Sequence, residues 1–255
     1  MKNLKIILLI IAVTALVSCS RLKEIVQQSN SAEMKRAVIV NVPRNLKSAT
    51  VDSGINKESS LVVALTNDTE IFLNADVQPV EKYELGAKIR DFAGRTPKNE
   101  KFIYIKAGSA IDYKTLVMIL DEIRKNDVDA VKLVVSQSEE SKADSVLEAK
   151  IQPEPKESDP VKPDPLTLVA AMQKDGKIKL NQEDNTIESL KSRLREVFRN
   201  REENGVFREG TNEVYKSVIV KCFRSAKYED VARLINALNE AGASPIILQI
   251  DDLSE

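Results

Sequence analysis

"FIYIKAGSAIDYKTLVMILDEIRKNDVDAVKLVV", residues 102–135, gives the clearest indication of the fold, because a second part of the chain matches it without a gap. That second stretch is "SVIVKCFRSAKYEDVARLINALNEAGASPIILQI", residues 217–250. Each predicts a strand, a turn, a helix and a final strand. The helices are indicated by apolar residues at i, i+3, i+4 and i+7, the spacing of one helix face. These residues are Leu116, Ile119, Leu120 and Ile123 in the first stretch and Val231, Leu234, Ile235 and Leu238 in the second.

The residues before each stretch also match. "LVVALTNDTEIFLN" (61–74) and "LTLVAAMQKDGKIKLN" (166–181) each predict two strands around a polar turn, and Asp175-Gly176 is a strong hairpin signal. A helix should follow each hairpin, and Asn185 with Glu188 predicts where the second of these helices starts. The spacing i, i+4, i+7 gives the apolar faces, which are Leu85, Ile89 and Phe92 in one helix and Leu190, Leu194 and Val197 in the other. The sequence therefore predicts an α+β protein with two tandem ββαβαβ domains, each a small mixed sheet with two helices on one face.

A segment rich in proline and charge separates the two repeats. Residues 136–165 hold five of the nine prolines among acids, lysines and serines, which is typical of an extended, solvated linker. The chain is accordingly divided into a signal peptide or short anchor (1–18), a tether (19–50), domain 1 (51–136), the linker (137–165) and domain 2 (166–255).

The N-terminal segment has the pattern of an export signal. Residues 6–17 are 12 uninterrupted apolar or small residues after Lys2 and Lys5, whereas a membrane-spanning helix needs about 20. Leu16 and Val17 at the end of this run, together with Ser18 and Cys19 that follow it, resemble a bacterial lipobox. That resemblance implies that the Cys19 thiol carries lipid and that the mature chain begins there. An uncleaved membrane anchor is the alternative.

Composition excludes several classes of function. The formal net charge of -1 argues against a nucleic-acid partner, which would require a strongly basic face. The chain has no histidine, which excludes Ser-His-Asp or Cys-His catalysis and zinc sites built on imidazole. No nucleophile–base pair, metal-ligand spacing or phosphate-binding loop is visible, so we expect no enzyme activity, no metal and no cofactor. With Cys19 lipidated, Cys222 lies alone in a β-rich run, "VIVKCF", and is expected in the core.

The order of these elements resembles the periplasmic domain of the ExbD/TolR family, once per repeat. The resemblance rests on the "IFLN" and "IKLN" strands, on Tyr113 and Tyr228 at the starts of the second helices, and on the final short strands. "AVIVNVPRNLKSAT" (37–50) is similar to the "V-x-L-P-x-A" segment of the family, with Val40, Asn41, Val42 and Pro43 at the matching positions. We expect these residues and the two tyrosines to be family-motif or partner-binding positions. A tyrosine packed over the sheet is an equally good interpretation.

The resemblance implies a function in the bacterial cell envelope, with the domains in the periplasm. Family members work with an ExbB/TolQ-like membrane protein and a TonB/TolA-like or cell-wall partner, and they couple the proton gradient to transport through an acid in their membrane helix. Residues 6–18 hold no titratable side chain, so this chain is expected to be a tethered binding or coupling module without its own proton carrier. Because family domains dimerise, the two repeats are expected to form an internal pseudo-dimer. The alternative is an envelope lipoprotein that uses the same fold for an unrelated protein or cell-wall interaction.

Overall fold

One mixed sheet runs through both repeats. The computed structural model describes residues 40–41, 60–66, 69–74, 76, 78–97, 101–137, 144–154 and 164–254, and all of them belong to one compact unit, Val40–Glu255. The lipobox residues Leu16, Val17, Ser18 and Cys19, and Val42 and Pro43 of the family segment, lie outside the described residues.

The first repeat has the predicted ββαβαβ order. Its elements are β2 (Leu61–Leu65), β3 (Ile71–Leu73), α1 (Lys82–Arg95), β4 (Ile103–Ala107), α2 (Tyr113–Arg124) and β5 (Ala130–Gln137). A two-residue strand, β1 (Val40–Asn41), precedes them and pairs antiparallel with the end of β5. The motif positions Val40 and Asn41 therefore lie beside Gln137 and Ser136.

The second repeat has the same order with one added strand. Its elements are β7 (Leu168–Met172), β8 (Ile178–Leu180), β9 (Glu183–Asn185), α3 (Ile187–Glu203), β10 (Val218–Lys221), α4 (Tyr228–Glu240) and β11 (Ile246–Leu248). Because Asn185 ends β9, the predicted helix start is wrong by one residue. Thr186 caps α3 instead, accepting a hydrogen bond from the Ser189 backbone N–H, while the Ser189 hydroxyl accepts one from the Thr186 N–H. Phe198 completes the buried face of α3, where the sequence pattern favoured Val197, which is half-buried.

The α+β class and the two tandem repeats are confirmed, but the two small sheets are joined into one. The strand order is β3-β2-β4-β5-β6-β11-β10-β7-β8-β9, with β6 (Asp144–Ile151) between the final strands of the repeats. The prediction of a solvated linker is therefore wrong over Asp144–Ile151. Leu147, Ala149 and Ile151 are buried and alternate with exposed neighbours, a strand pattern hidden by the charged composition of the segment.

The register about β6 relates the two repeats. β6 is antiparallel to β5 and parallel to β11. Lys132 of β5 pairs with Glu148, and Ile247, which lies 115 positions further on at the equivalent place in the second repeat, pairs with Lys150. The equivalent strands β5 and β11 therefore lie at symmetric positions on either side of Ala149. β6 itself does not follow this symmetry, because it is antiparallel to one of these strands and parallel to the other.

An asparagine closes the hairpin of each repeat. Asn74 and Asn181 have positive φ angles of 51° and 56°, a conformation that asparagine tolerates better than most residues. The side-chain oxygen of Asn74 accepts a hydrogen bond from the Val62 N–H at 3.0 Å, and that of Asn181 accepts one from the Val169 N–H at 2.9 Å. The shared Ile-x-Leu-Asn sequence therefore has a structural cause.

Candidate functional site at the junction of the repeats

The starts of α2 and α4 meet, and equivalent residues of the two repeats bond to each other there. The Tyr113 N–H donates to the Ala226 carbonyl at 2.7 Å, and the Tyr228 N–H donates to the Ile111 carbonyl at 2.8 Å. Tyr113 and Tyr228 are equivalent positions, as are Ile111 and Ala226, so these two bonds are one interaction made twice.

A second pair of backbone bonds repeats this relation. The Lys114 N–H donates to the Arg224 carbonyl at 2.9 Å, and the Glu229 N–H donates to the Ser109 carbonyl at 3.3 Å. Here too, each donor and each acceptor is matched by its equivalent 115 positions away. The junction thus has a local pseudo-two-fold relation, the arrangement of an isologous dimer interface.

The residues at the centre of the junction differ in charge. Asp112 and Lys227 are equivalent positions that form a backbone bridge with each other, and their side chains form a salt bridge of 2.5 Å. Identical residues at these positions would place like charges together. The acid in one repeat and the base in the other make this junction specific for pairing within the chain.

The two tyrosines predicted as site residues are brought together here but are fully buried. The Tyr113 hydroxyl donates to the Gln249 carbonyl at 2.9 Å, which ties α2 to the end of the second repeat. The Tyr228 hydroxyl has no hydrogen-bond partner among the described residues. Burial raises the pKa of both tyrosines, and a nearby Cys222 charge would raise that of Tyr113 further. Contact with an external partner would require the junction to open, so that role stays a prediction.

Cys222 is a buried, free cysteine, as the sequence predicts. Burial, followed by the charge of Asp230, raises the pKa of its thiol to about 12. The thiol is therefore protonated at neutral pH and is a poor nucleophile.

An ion-pair cluster that the sequence analysis did not identify also joins the repeats. The Arg124 guanidinium, 12% exposed, lies 2.7 Å from the carboxylates of both Asp121 in its own helix and Asp251 in the second repeat. The hydrogen bond to Asp251, more than that to Asp121, raises the pKa of Arg124 against the effect of burial. Burial would raise the pKa of Asp121, but hydrogen bonds from Lys125 and Arg124 outweigh it and lower that pKa.

A cavity of about 380 Å³ opens beside β6, where the starts of β5 and β11 come together. It includes two equivalent pairs of the repeats, Asp129 with Ser244 and Ala130 with Pro245. Phe102, Ala149 and Ile246 add apolar surface, and Lys101, Glu148, Lys150 and Asn239 add polar groups. Its shape can accept one bulky side chain or a small molecule.

The described residues lack two features that a site could have. No helix among them is both long and apolar enough to cross a membrane. Within the same ranges, no three Cys, Asp or Glu side chains are arranged to bind a metal ion.

The comparison with known families agrees with this organisation. A family model described as biopolymer transport protein ExbD/TolR matches the chain twice, over residues 29–138 and 139–253. The chain belongs to the ExbD/TolR family. Its members are non-catalytic components of biopolymer transport that work with membrane partner proteins at the cell envelope. No curated protein matches the chain. The second match includes β6, so this strand belongs to the second repeat. There it precedes the hairpin, as β1 precedes the hairpin of the first repeat.

Proposed function

We propose that this protein is a membrane-tethered component of an envelope transport system driven by the proton-motive force, and that it binds or couples without carrying protons itself. The observation that carries this proposal is the paired arrangement of two ExbD/TolR repeats in one compact unit. Bonds between equivalent residues at the junction support an internal pseudo-dimer, in which one chain supplies the two domains that family members supply from two chains.

The absence of titratable side chains in residues 6–18 supports proton transfer by another subunit. A carboxyl group in lipid has a raised pKa and can bind and release a proton, whereas a run of Ile, Leu, Val, Ala, Thr and Ser cannot. An ExbB/TolQ-like membrane protein would therefore supply this step. A TonB/TolA-like or cell-wall partner would receive the coupled movement.

The resemblance of Leu16, Val17, Ser18 and Cys19 to a lipobox supports the tether. With lipid on Cys19, the repeats are held at a membrane, and the acyl chains contribute about 0.8 kcal/mol per buried methylene. The motif "VIVNVP" (38–43) is a candidate for a second contact, because strand addition uses main-chain bonds and requires little of the side chains. Val40 and Asn41 pair with the end of β5, so a partner strand would have to use the opposite edge of β1 or replace this pairing.

The alternative is an envelope lipoprotein that uses the same fold for an unrelated protein or cell-wall interaction. The buried, protonated Cys222 and the burial of both junction tyrosines favour binding over catalysis in either case.

Co-purification from native membranes tests this function. The full chain, tagged at its C terminus, is extracted in mild detergent, and we expect an ExbB/TolQ-like protein to be recovered with it in a fixed ratio. Recovery of other envelope proteins alone, with the ExbB/TolQ-like protein present in the membranes but unbound, would favour the alternative.

Intact-mass measurement of the same extract, with Cys19→Ala as the matched control, tests the tether. The wild-type chain should begin at Cys19 and carry acyl mass, whereas the variant should carry none. An unmodified wild-type chain beginning at Met1 would instead support the uncleaved anchor.

A further inference from the structure

The sheet has two faces, and the helices of the described residues pack against only one of them. Within these ranges, α1, α2, α3 and α4 each contribute to a core cluster with alternate strand residues such as Val63, Ile105, Val218 and Leu248. The intervening strand residues point to the opposite face, which we call the outer face.

In the second repeat, the outer face carries a continuous apolar row. Ile247, Ile219 and Val169 lie directly opposite one another on β11, β10 and β7, and all three are half-buried. Lys150 of β6 pairs with Ile247 and extends the row to the cavity described above, which it also lines. The row and the cavity therefore form one surface.

A second row beside it is basic. Lys221, Ala171 and Lys179 lie opposite one another on β10, β7 and β8. Lys179 lies 3.8 Å from Asp184, but neither Lys221 nor Lys150 forms an ion pair within the described parts of the chain. Both lysines are exposed, so the apolar row is bordered by two cations with unmatched charge.

The first repeat buries the equivalent positions. Where the second repeat has half-buried Val169, Ala171 and Lys179, the first has Val62, Ala64 and Phe72, which are 2%, 0% and 4% exposed. Lys221 of the second repeat is exposed, whereas the equivalent residue of the first repeat, Lys106, is only 7% exposed. Burial of this face is therefore compatible with the fold, including burial of a lysine at this position.

We propose that the outer face of the second repeat binds an acidic amphipathic helix of a partner protein. A sheet face offers side chains and no free main-chain groups, so a helix with an apolar stripe fits it better than an added strand. The stripe packs on the Ile219 row, carboxylates lie at Lys150 and Lys221, and one bulky apolar side chain enters the cavity. Opposite charge selects this partner over a basic helix.

This inference concerns only the second repeat and does not depend on the proposed transport function. It is tested with the purified full chain and no membrane partner, so failure of either proposal leaves the other unaffected. The probe is a fluorescent synthetic helix with leucines at i, i+3, i+4 and i+7 flanked by glutamates. A second peptide has lysine in place of each glutamate, and binding is followed by anisotropy.

We expect the acidic peptide to bind at least about tenfold more tightly than the basic peptide, with a preference that weakens as salt is added. Ile219→Glu should abolish binding of the acidic peptide. Lys221→Glu should weaken it about threefold to tenfold and strengthen binding of the basic peptide, whereas Lys88→Glu on the helical side should leave both unchanged.

Equal affinity for the two peptides, or no binding of either, would overturn the proposal. So would an unchanged preference in Lys221→Glu. If Ile219→Glu does not fold, Lys221→Glu still decides the matter, because it changes an exposed side chain.

Discussion

The first repeat buries most of both faces of its sheet, whereas the second buries only the face beneath its helices. Phe72 in the first repeat is replaced by Lys179 in the second, and Val134 by Gln249, although the strands and registers correspond. The inward-facing residues remain apolar in both repeats because a common core holds them. The scaffold is therefore repeated, whereas the outer surfaces of the two repeats differ in residue type and in burial.

The largest effect is expected from breaking the strand that holds the repeats side by side. Leu147→Ala removes a side chain that is 2% exposed in β6 and should lower the free energy of unfolding by about 2–5 kcal/mol. The neighbouring Val146→Ala, at a position 36% exposed on the other side of the strand, is the matched control and should change it by less than about 1 kcal/mol. Chemical denaturation measures both, and equal small effects would mean that β6 behaves as the predicted linker.

β6 shows where prediction from the sequence reached its limit. The helix faces around Leu120 and Ile235 and the order of both repeats follow from local periodicity, which the sequence displays directly. In Asp144–Ile151, alternation is present, but the charges on both sides and the prolines that follow the strand favoured an unpaired linker. Pairing of that strand with β11 depends on residues about 100 positions away, and no local pattern encodes such a contact.

The candidate site, like the fold, could be predicted where local sequence patterns define it but not where distant contacts do. Tyr113 and Tyr228 were identified by their equivalent positions, but their burial depends on how the two repeats meet. The pairing of Arg124 with Asp251 could not be predicted, because Asp251 is distant in sequence and its equivalent in the first repeat is Ser136. The contact between Arg124 and Asp251 has no equivalent in the other repeat, so comparison of the repeats does not reveal it.

A smaller effect is expected from the ion-pair cluster that joins α2 to the second repeat. Arg124→Met keeps most of the side-chain volume, removes the bonds to Asp121 and Asp251, and should lower the free energy of unfolding by about 1–3 kcal/mol. Arg193→Met, which removes an exposed pair with Glu196, should have an effect within about 0.5 kcal/mol.

The same cluster predicts a dependence on pH. The pKa of Asp121 is lower in the folded state than its ordinary value of 3.8, so its stabilising contribution is present above that value and is lost as the pH falls through the lowered pKa. Wild type should therefore lose more stability than Arg124→Met when thermal unfolding at pH 6 is compared with unfolding near pH 3. If wild type and Arg124→Met lost equal stability between pH 6 and pH 3, the bond between Arg124 and Asp121 would not be the source of this pH dependence.

The hairpin asparagines should make the two repeats respond alike. Asn74→Ala and Asn181→Ala each remove a side-chain bond to a strand N–H and place alanine at a positive φ, which should lower the free energy of unfolding by about 1–2 kcal/mol. Glycine at either position should recover part of this loss, because glycine adopts a positive φ without strain. An effect in only one repeat would show that the shared motif has different roles in the two hairpins.

The smallest effect separates the two buried tyrosines. Tyr113→Phe removes the bond to the Gln249 carbonyl and should lower the free energy of unfolding by about 1 kcal/mol. Tyr228→Phe removes a buried hydroxyl that has no partner among the described residues, so it should leave stability unchanged or raise it slightly. The two changes are chemically identical and occur at equivalent positions, so the difference between them measures the asymmetry of the junction. Thermal unfolding of both variants would show this difference, and equal losses would mean that Tyr228 has a hydrogen-bond partner in solution.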